Sequence, residues 1–418
     1  MCAKKVTVLV VGAGARGEIY SRYALEHPDR MQVVAVAEPR DSYRQQFVEQ
    51  HQIAQSHVFN DWHDAALRPR MADVVLICTQ DSMHKGPAVA FAELGYHILL
   101  EKPVAPTPED CETIIEAVKR NNVLLAVAHV LRYTRYTQKL KALLNEGVIG
   151  DILSMQHLEP VGYWHQAHSF VRGNWRNESQ SSFMLLQKSC HDLDWIRYIM
   201  GDNCLQVSSF GSLSHFTAQN QPEGAADRCL DCKVESTCPW SARKIYLGDA
   251  HKCTPHFRRV LTADPTEENV EKALREGPYG RCVYRCDNDV VDHQVVNFRF
   301  AHQQTVTFTM TAFTKMEDRQ TRLFGTRGYL EGNGKTIRVF DFLTDSETVH
   351  TVDEIPEGSQ TQMGGHGGGD YYLMDKFIQA VIAGDQSMIL SGPDEALESH
   401  LMVFAAEQAR KENRLINL

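Results

Sequence analysis

The first 38 residues constrain the fold more than any other stretch of the chain. Val6–Val11 is a valine-rich run, and Gly12-Ala13-Gly14-Ala15-Arg16-Gly17 follows it at once. A second apolar run, 32–37, ends in Glu38. Such runs suit strands buried on both faces of a parallel sheet. Between them Gly12 allows a tight turn, Gly14 lets a pyrophosphate approach the backbone, and Gly17 lets a helix lie close to the strand. A helix opening here offers free N–H groups and its positive dipole end to phosphates. Glu38 falls about 20 residues past the glycines, where an acid accepts bonds from an adenosine ribose. Strand, turn, helix, strand and acid in this order predict a dinucleotide site. A carboxylate at Glu38 repels a 2′-phosphate and favours NAD. Arg40, two residues on, is the group that would favour NADP instead.

At 418 residues the chain exceeds one typical core, so two domains are expected, 1–128 and 129–418, with an insert over about 217–286 in the second. A net charge of −10 argues against nucleic acid as the main partner and does nothing to attract an anionic membrane. No run approaches the ~18–20 apolar residues of a membrane-spanning helix. The N-terminus leads straight into the first strand, so no separate signal peptide is expected, and cytoplasm is the expected compartment. There the eleven cysteines should be thiols or metal ligands rather than disulfides.

Strand-like and helix-like stretches alternate through 127, with strands at Asp73–Cys78, His97–Leu100 and Val123–Val127. This predicts a doubly wound parallel sheet, a Rossmann-type α/β domain, with ligands at the carboxyl ends of the strands. Thr79, Gln80, His84, Glu101, Lys102 and His129 all fall at or just after those ends. Glu101-Lys102-Pro103 is the most informative tripeptide. Pro103 restrains the backbone at Lys102. A lysine beside a nicotinamide would bond a substrate hydroxyl and help to move its proton, and Glu101 would tune it.

VVGAGARG, CTQDSMH, EKP and the later HVLRY together resemble the Gfo/Idh/MocA family of nicotinamide-dependent oxidoreductases, which includes glucose–fructose oxidoreductase and inositol dehydrogenase. The resemblance covers most of the chain outside about 217–285. It implies an N-terminal Rossmann domain and a C-terminal α/β domain with a large, mostly antiparallel sheet that carries substrate and often the oligomer interface. It implies that Lys102 contacts substrate and nicotinamide, and that Thr79 and His84 match the cofactor segment, with Gln80 in place of the usual proline. Arg132 and Tyr133 match a segment facing cofactor and substrate, although packing at the domain junction is an equal reading of Tyr133. Trp175 and Arg176 resemble a loop that reaches the substrate pocket.

His191 matches the family's histidine at the reacting carbon. The aspartate usual four residues earlier is Gln187 here, which cannot act as a base. Lys188 follows it and is an accessory catalytic candidate. His191 as a helix cap or buried imidazole is the plainer reading. Near the C-terminus, Gly364–Asp370 places His366 in a glycine-rich loop before a helix that Asp370 would cap. A similar segment occurs in a family branch that hydrolyses glycosides with a retained NAD, so His366 is a substrate-binding candidate; a simple hinge is the alternative.

The insert holds Cys229-x2-Cys232, Cys238, Cys253 and Cys282, with Cys286 just beyond. Cys229, Cys232, Cys238 and Cys282, or Cys286 as the fourth, have the spacing of a closed structural zinc site. Free thiols, a disulfide or a partner-binding loop are the alternatives. The insert shows little apolar periodicity, so a staple is expected. The whole sequence predicts an NAD-dependent oxidoreductase acting on a secondary hydroxyl of a sugar, sugar derivative or cyclitol, and a homodimer or homotetramer by resemblance. An NAD-dependent glycosidase and a non-catalytic NAD-binding scaffold are the competing expectations.

Overall fold

The structure is a computed structural model that describes residues 5–248, 255–355 and 361–418. The chain forms two compact units. The first comprises residues through Leu153 together with Cys190–Cys204 and Phe324–Phe404; the second comprises Ser154–Ser189, Leu205–Leu323 and Ala405–Leu418. Each unit draws on separated stretches of sequence.

In the first unit six strands, β1 (Val6–Val11), β2 (Met31–Ala37), β3 (Val58–Phe59), β4 (Val74–Ile77), β5 (His97–Leu100) and β6 (Leu125–Val127), form a sheet in the order β3-β2-β1-β4-β5-β6. All of its pairings are parallel. Helices α1 (Ala15–Glu26), α2 (Asp41–His51), α3 (Lys85–Glu93), α4 (Pro108–Arg120) and α5 (Arg135–Asn145) follow in chain order. The apolar content of β1 has a simple cause. Val6, Val8 and Val10 enter one core with Tyr20 and Tyr23 of α1, while Leu9 and Val11 enter another with Phe91 of α3 and Ile114 of α4. Both faces are buried, so both sets of alternate positions are apolar. The strand order reverses between β1 and β4, which is where such sheets open a ligand crevice.

Three further helices complete the main helical elements: α6 (Met184–Met200), α7 (Gly369–Ala383) and α8 (Pro393–Glu412). Leu373, Met374, Phe377 and Ile378 of α7 join the same core as Val8 and Val10. Ala396 of α8 joins the opposite one. The parallel sheet is thus roofed by helices from the far end of the chain.

The remaining strands are β7 (Ile152–Pro160), β8 (Cys204–Ser212), β9 (His293–Phe300), β10 (Thr305–Thr311), β11 (Gln320–Gly325), β12 (Gly328–Gly332), β13 (Thr336–Asp341), β14 (Ser346–Thr351) and β15 (Ile416–Asn417). They form a nine-stranded sheet in the order β14-β13-β12-β11-β7-β10-β9-β8-β15. It is mostly antiparallel, with β10 parallel to β7. The insert is better packed than its sequence suggests. Ala242, Ile245, Tyr246, Val270 and Leu274 form a small core with Trp164, Val171 and Tyr279. Val270 and Leu274 are one helical turn apart on Glu267–Glu276, a periodicity hidden by the polar residues around them. Among the described residues no helix is long and apolar enough to cross a membrane.

Gly17 is the tightest point of the first turn: a Cβ there would sit 2.1 Å from the Gly12 carbonyl oxygen. Because that neighbour is backbone, Gly17→Ala is expected to destabilise the chain by about 1–3 kcal/mol, as overpacking does. Denaturant unfolding of the two proteins measures it, and equal midpoints would show that the turn relaxes freely.

Candidate active site

The site is built outward from the turn after β1. Gly12 has φ +93°, and a Cβ on it would lie 2.8 Å from the Cys78 carbonyl oxygen, so the turn needs glycine and runs against the end of β4. Gly14 is the N-cap of α1 and makes no side-chain cap bond, so no capping side chain claims the first N–H groups of the helix. Glu38, 1 % exposed at the end of β2, accepts the Ala13 N–H at 2.8 Å. Its other partner is Arg40, whose Nε lies 2.7 Å from Oε1 and whose Nη2 lies 2.9 Å from Oε2. Burial pushes the Glu38 carboxyl up, but the Arg40 bonds and the Ala13 N–H outweigh it and hold the group below its ordinary value. At the end of β4 the Thr79 hydroxyl is buried with no hydrogen-bond partner, whereas Gln80 is exposed. Cradle glycines, uncapped helix N–H groups, an ionised acid and an orphaned hydroxyl beside them fit a dinucleotide.

Next to this cradle lies the turn after β5. Glu101 is 5 % exposed and gathers three donors. Arg16 Nε lies 2.6 Å and Tyr20 Oη 2.7 Å from its Oε1, and the Lys102 N–H donates to Oε2 at 2.8 Å. Arg16 also reaches the buried Asp370, Nη2 to Oδ1 2.6 Å. Burial raises both carboxyls, but Arg16 opposes it first in each case, Lys102 next for Glu101 and His366 next for Asp370, so both are held below their ordinary values. Asp370 is therefore not the helix cap expected from sequence; Gly368 takes that position and Asp370 binds Arg16.

Two buried imidazoles brace the same turn. His84 places Nδ1 2.9 Å from the Pro103 carbonyl oxygen and Nε2 3.1 Å from that of Thr79. The Val104 N–H donates to His400 Nε2 at 2.9 Å, while His400 Nδ1 lies 2.8 Å from the Ala396 carbonyl oxygen. His400 must then be neutral, with its proton on Nδ1. His84 is thus a fully buried brace between the cofactor edge and the lysine turn.

His191 lies within α6 rather than at a helix cap, and is 6 % exposed. Its ring centroid is 6.1 Å from that of His129 and 5.8 Å from that of His366. His366 Nδ1 is 3.2 Å from Asp370 Oδ2. The Lys102 charge acts on His129, on His400 and on Cys190, the neighbour of His191. Lys102, His191 and His366 therefore belong to one neighbourhood of the first unit, together with Arg16, Glu101 and Asp370.

Other expected residues have different surroundings. Arg132 is 2 % exposed and grips Asp194 with two bonds of 2.7 Å. The Tyr133 hydroxyl is 2.9 Å from Ser391 Oγ and accepts the Ser391 N–H. Both side chains have internal partners and neither is exposed. His129 is fully buried, with Nε2 3.6 Å from Asp194 Oδ1. Lys188, in the second unit, is paired with the buried Glu159 at 3.0 Å, which also binds Arg319 at 2.8 Å. Gln187 donates to Ser182 at 2.7 Å. Trp175 is 42 % exposed, and Arg176 pairs with Asp287 at 3.1 Å. Sequence reasoning did not single out Tyr20, Asp194 or His400, whose partners lie far away along the chain.

Cys229, Cys232, Cys238 and Cys282 line one cavity of about 20 Å³. Cys286 is not among its lining residues, and its thiol lies 3.3 Å from the Cys282 carbonyl oxygen. Cys253 lies outside the described residues. Among the described residues no three His, Cys, Asp or Glu side chains stand ready as a metal-ligand set, so the expectation of zinc finds no preformed centre here.

Comparison with known proteins bears on the family and the fold. A family model described as an oxidoreductase family with an NAD-binding Rossmann fold matches residues 6–129, and its C-terminal alpha/beta domain matches 141–418. The chain is 22 % identical over 334 residues to the Bacillus subtilis (strain 168) protein YteT, whose name carries only the class oxidoreductase; the match covers 75 % of this chain and 74 % of that protein. It is 29 % identical over 153 residues to 2,7-anhydro-N-acetylneuraminate hydratase of Escherichia coli (strain K12), covering 36 % of this chain and 40 % of that one. The fold is shared with levoglucosan dehydrogenase in complex with NADH and levoglucosan, with TM-score 0.73, 18 % identity and 99 % of both chains covered.

The buried imidazoles set a pH dependence. Burial pushes His129 down to about 3 and His400 down to about 4, while both titrate near 6.5 when unfolded. Between those values the unfolded chain binds the extra protons, so stability is full above about pH 6.5 and falls as the pH drops toward 4. Thermal midpoints at pH 7.5 and 5.5 should differ accordingly, and His400→Gln should shrink the difference. An unchanged difference in that variant would show that His400 takes no part.

Proposed function

The chain belongs to the Gfo/Idh/MocA oxidoreductase family, and from that premise we propose that it oxidises a secondary hydroxyl of a sugar, sugar derivative or cyclitol with NAD. The observation that carries the proposal is the placement of Lys102 and His191 around one neighbourhood beside the Gly12–Gly17 cradle. NAD bound there, on Gly12 to Gly17, Glu38 and Thr79, supplies the hydride acceptor. The Lys102 ammonium donates to the substrate oxygen and offsets the negative charge that grows on it as the proton leaves. His191 takes that proton. Glu101 and Arg16 fix the Lys102 backbone, so the ammonium starts from a set position. Preference for NAD over NADP is supported by Glu38 at the end of β2, because a carboxylate there would repel a 2′-phosphate and it already engages Arg40. Lys188 is the accessory candidate, with its charge offset by Glu159. Trp175 and Arg176 are the candidate substrate loop. The exposed Phe342, Leu343 and Val349 suit a homodimer or homotetramer through the second sheet.

A second reading is a reaction that leaves NAD unchanged overall, hydration or glycoside hydrolysis. It is favoured by the His366–Asp370 pair beside His191 and by the likeness to a protein named as a hydratase.

A panel of sugars, inositols, anhydro-sugars and glycosides with added NAD separates the two. Accumulating NADH supports the dehydrogenase, and product without NADH supports the second reading. Lys102→Met and His191→Asn are each expected to slow turnover by about 10²–10⁴-fold while NAD still binds. Failure of the purified protein to bind either nucleotide would sink both readings.

A further inference from the structure

We propose that Cys229, Cys232, Cys238 and Cys282 take up one soft divalent cation of the zinc class as a closed tetrathiolate site, with Arg172 as its balancing charge. This is independent of the oxidoreductase reading. Local backbone brings the four residues together. Cys229 opens the short turn Cys229–Asp231, and Cys238 directly follows the turn Glu235–Thr237. Cys282 arrives from elsewhere, through the bridge of Arg228 with Arg281 and a 2.8 Å bond from its N–H to the Asp227 carbonyl oxygen. The cavity they line, about 20 Å³, admits a single guest of about the size of one water.

One cationic donor faces the cluster. Arg172 Nη2 lies 3.4 Å from Cys229 Sγ. A neutral thiol is a weak acceptor, so a buried guanidinium donor at Cys229 suits a sulfur that carries negative charge.

Arg172 is the second, independent observation. It ends the π-turn Ala167–Arg172 and is 1 % exposed. Its Nε and Nη2 donate to the carbonyl oxygens of Arg281 and Trp240, at 2.7 and 2.8 Å. Its Nη1 is buried with no partner. It also lines the cavity. A guanidinium buried among neutral carbonyls and thiols is costly until a counter-charge is present. A dication held by four thiolates is an anion overall, and Arg172 offsets part of it. Sulfur-only donors select a soft ion, and four of them leave no open position for catalysis.

Uptake requires the thiols to turn inward, because they do not stand as a ligand set beforehand. Four S–H protons leave to solvent as four metal–sulfur bonds form. The insert's apolar core persists without the ion, so its loss loosens the cysteine turns and the adjoining segment with Trp175 and Arg176 rather than unfolding the chain.

The test is metal analysis of full-length protein purified without chelator. Near one zinc per chain, retained on desalting and released by a thiol-specific mercurial, is expected. Metal-depleted wild-type protein titrated with Co²⁺ should develop sulfur-to-cobalt charge-transfer absorption that saturates at one equivalent, a readout that needs no variant. Cys232→Ser should lose the band while NAD binding persists, and Arg172→Gln should weaken zinc about 10- to 100-fold. Absence of zinc together with absence of the cobalt band overturns the proposal. So does full zinc retention in a Cys232→Ser, Cys282→Ser double variant.

Discussion

Two buried carboxylates share one guanidinium, and the first unit is organised around that fact. Arg16 stands in the glycine turn, Glu101 ends β5 and Asp370 opens α7. Neither acid would remain ionised at such burial without the cation between them. Because the three groups come from the nucleotide turn, the lysine turn and the glycine-rich loop, one interaction sets the spacing of all three. Asp370 then uses its other oxygen to hold His366. A carboxylate that is ionised and fixed in this way holds an imidazole in one orientation.

Much of the fold is legible in the sequence because burial on two faces leaves a plain signature. The strands β1, β2, β4 and β5 are short apolar runs with turn residues at their ends, and nothing else in a soluble chain asks for that pattern. The start of α6 is less legible. Gln187, Lys188 and Ser189 look like loop residues, yet Lys188 and Gln187 are satisfied by Glu159 and Ser182 and sit comfortably in a helix. The insert misleads in the same direction, since two apolar residues on a strongly charged helix are enough to anchor it.

The site divides along a similar line. Gly12, Gly17 and Glu38 could be read from local spacing because the strand, turn and helix they belong to form a sequence pattern of their own. The surroundings of Arg132 could not: its residue type suits a ligand as well as an ion pair, and Asp194, which decides the matter, is 62 residues away. Asp370 looked like a cap because it precedes a helix, while its partner Arg16 is 354 residues distant. Residue chemistry thus named the participants, and long-range pairing assigned the parts they play.

The roofing of the parallel sheet by α7 and α8 bears on how the protein is made. Val8 and Val10 emerge from the ribosome early, but Leu373, Met374, Phe377 and Ile378, which seal the same core, come some 360 residues later. The first sheet to be synthesised is therefore among the last to be closed. During translation its upper face stays open to solvent and to other chains, a sticky surface of the sort that chaperones bind. In this protein the order of synthesis and the order of completion run nearly opposite to each other.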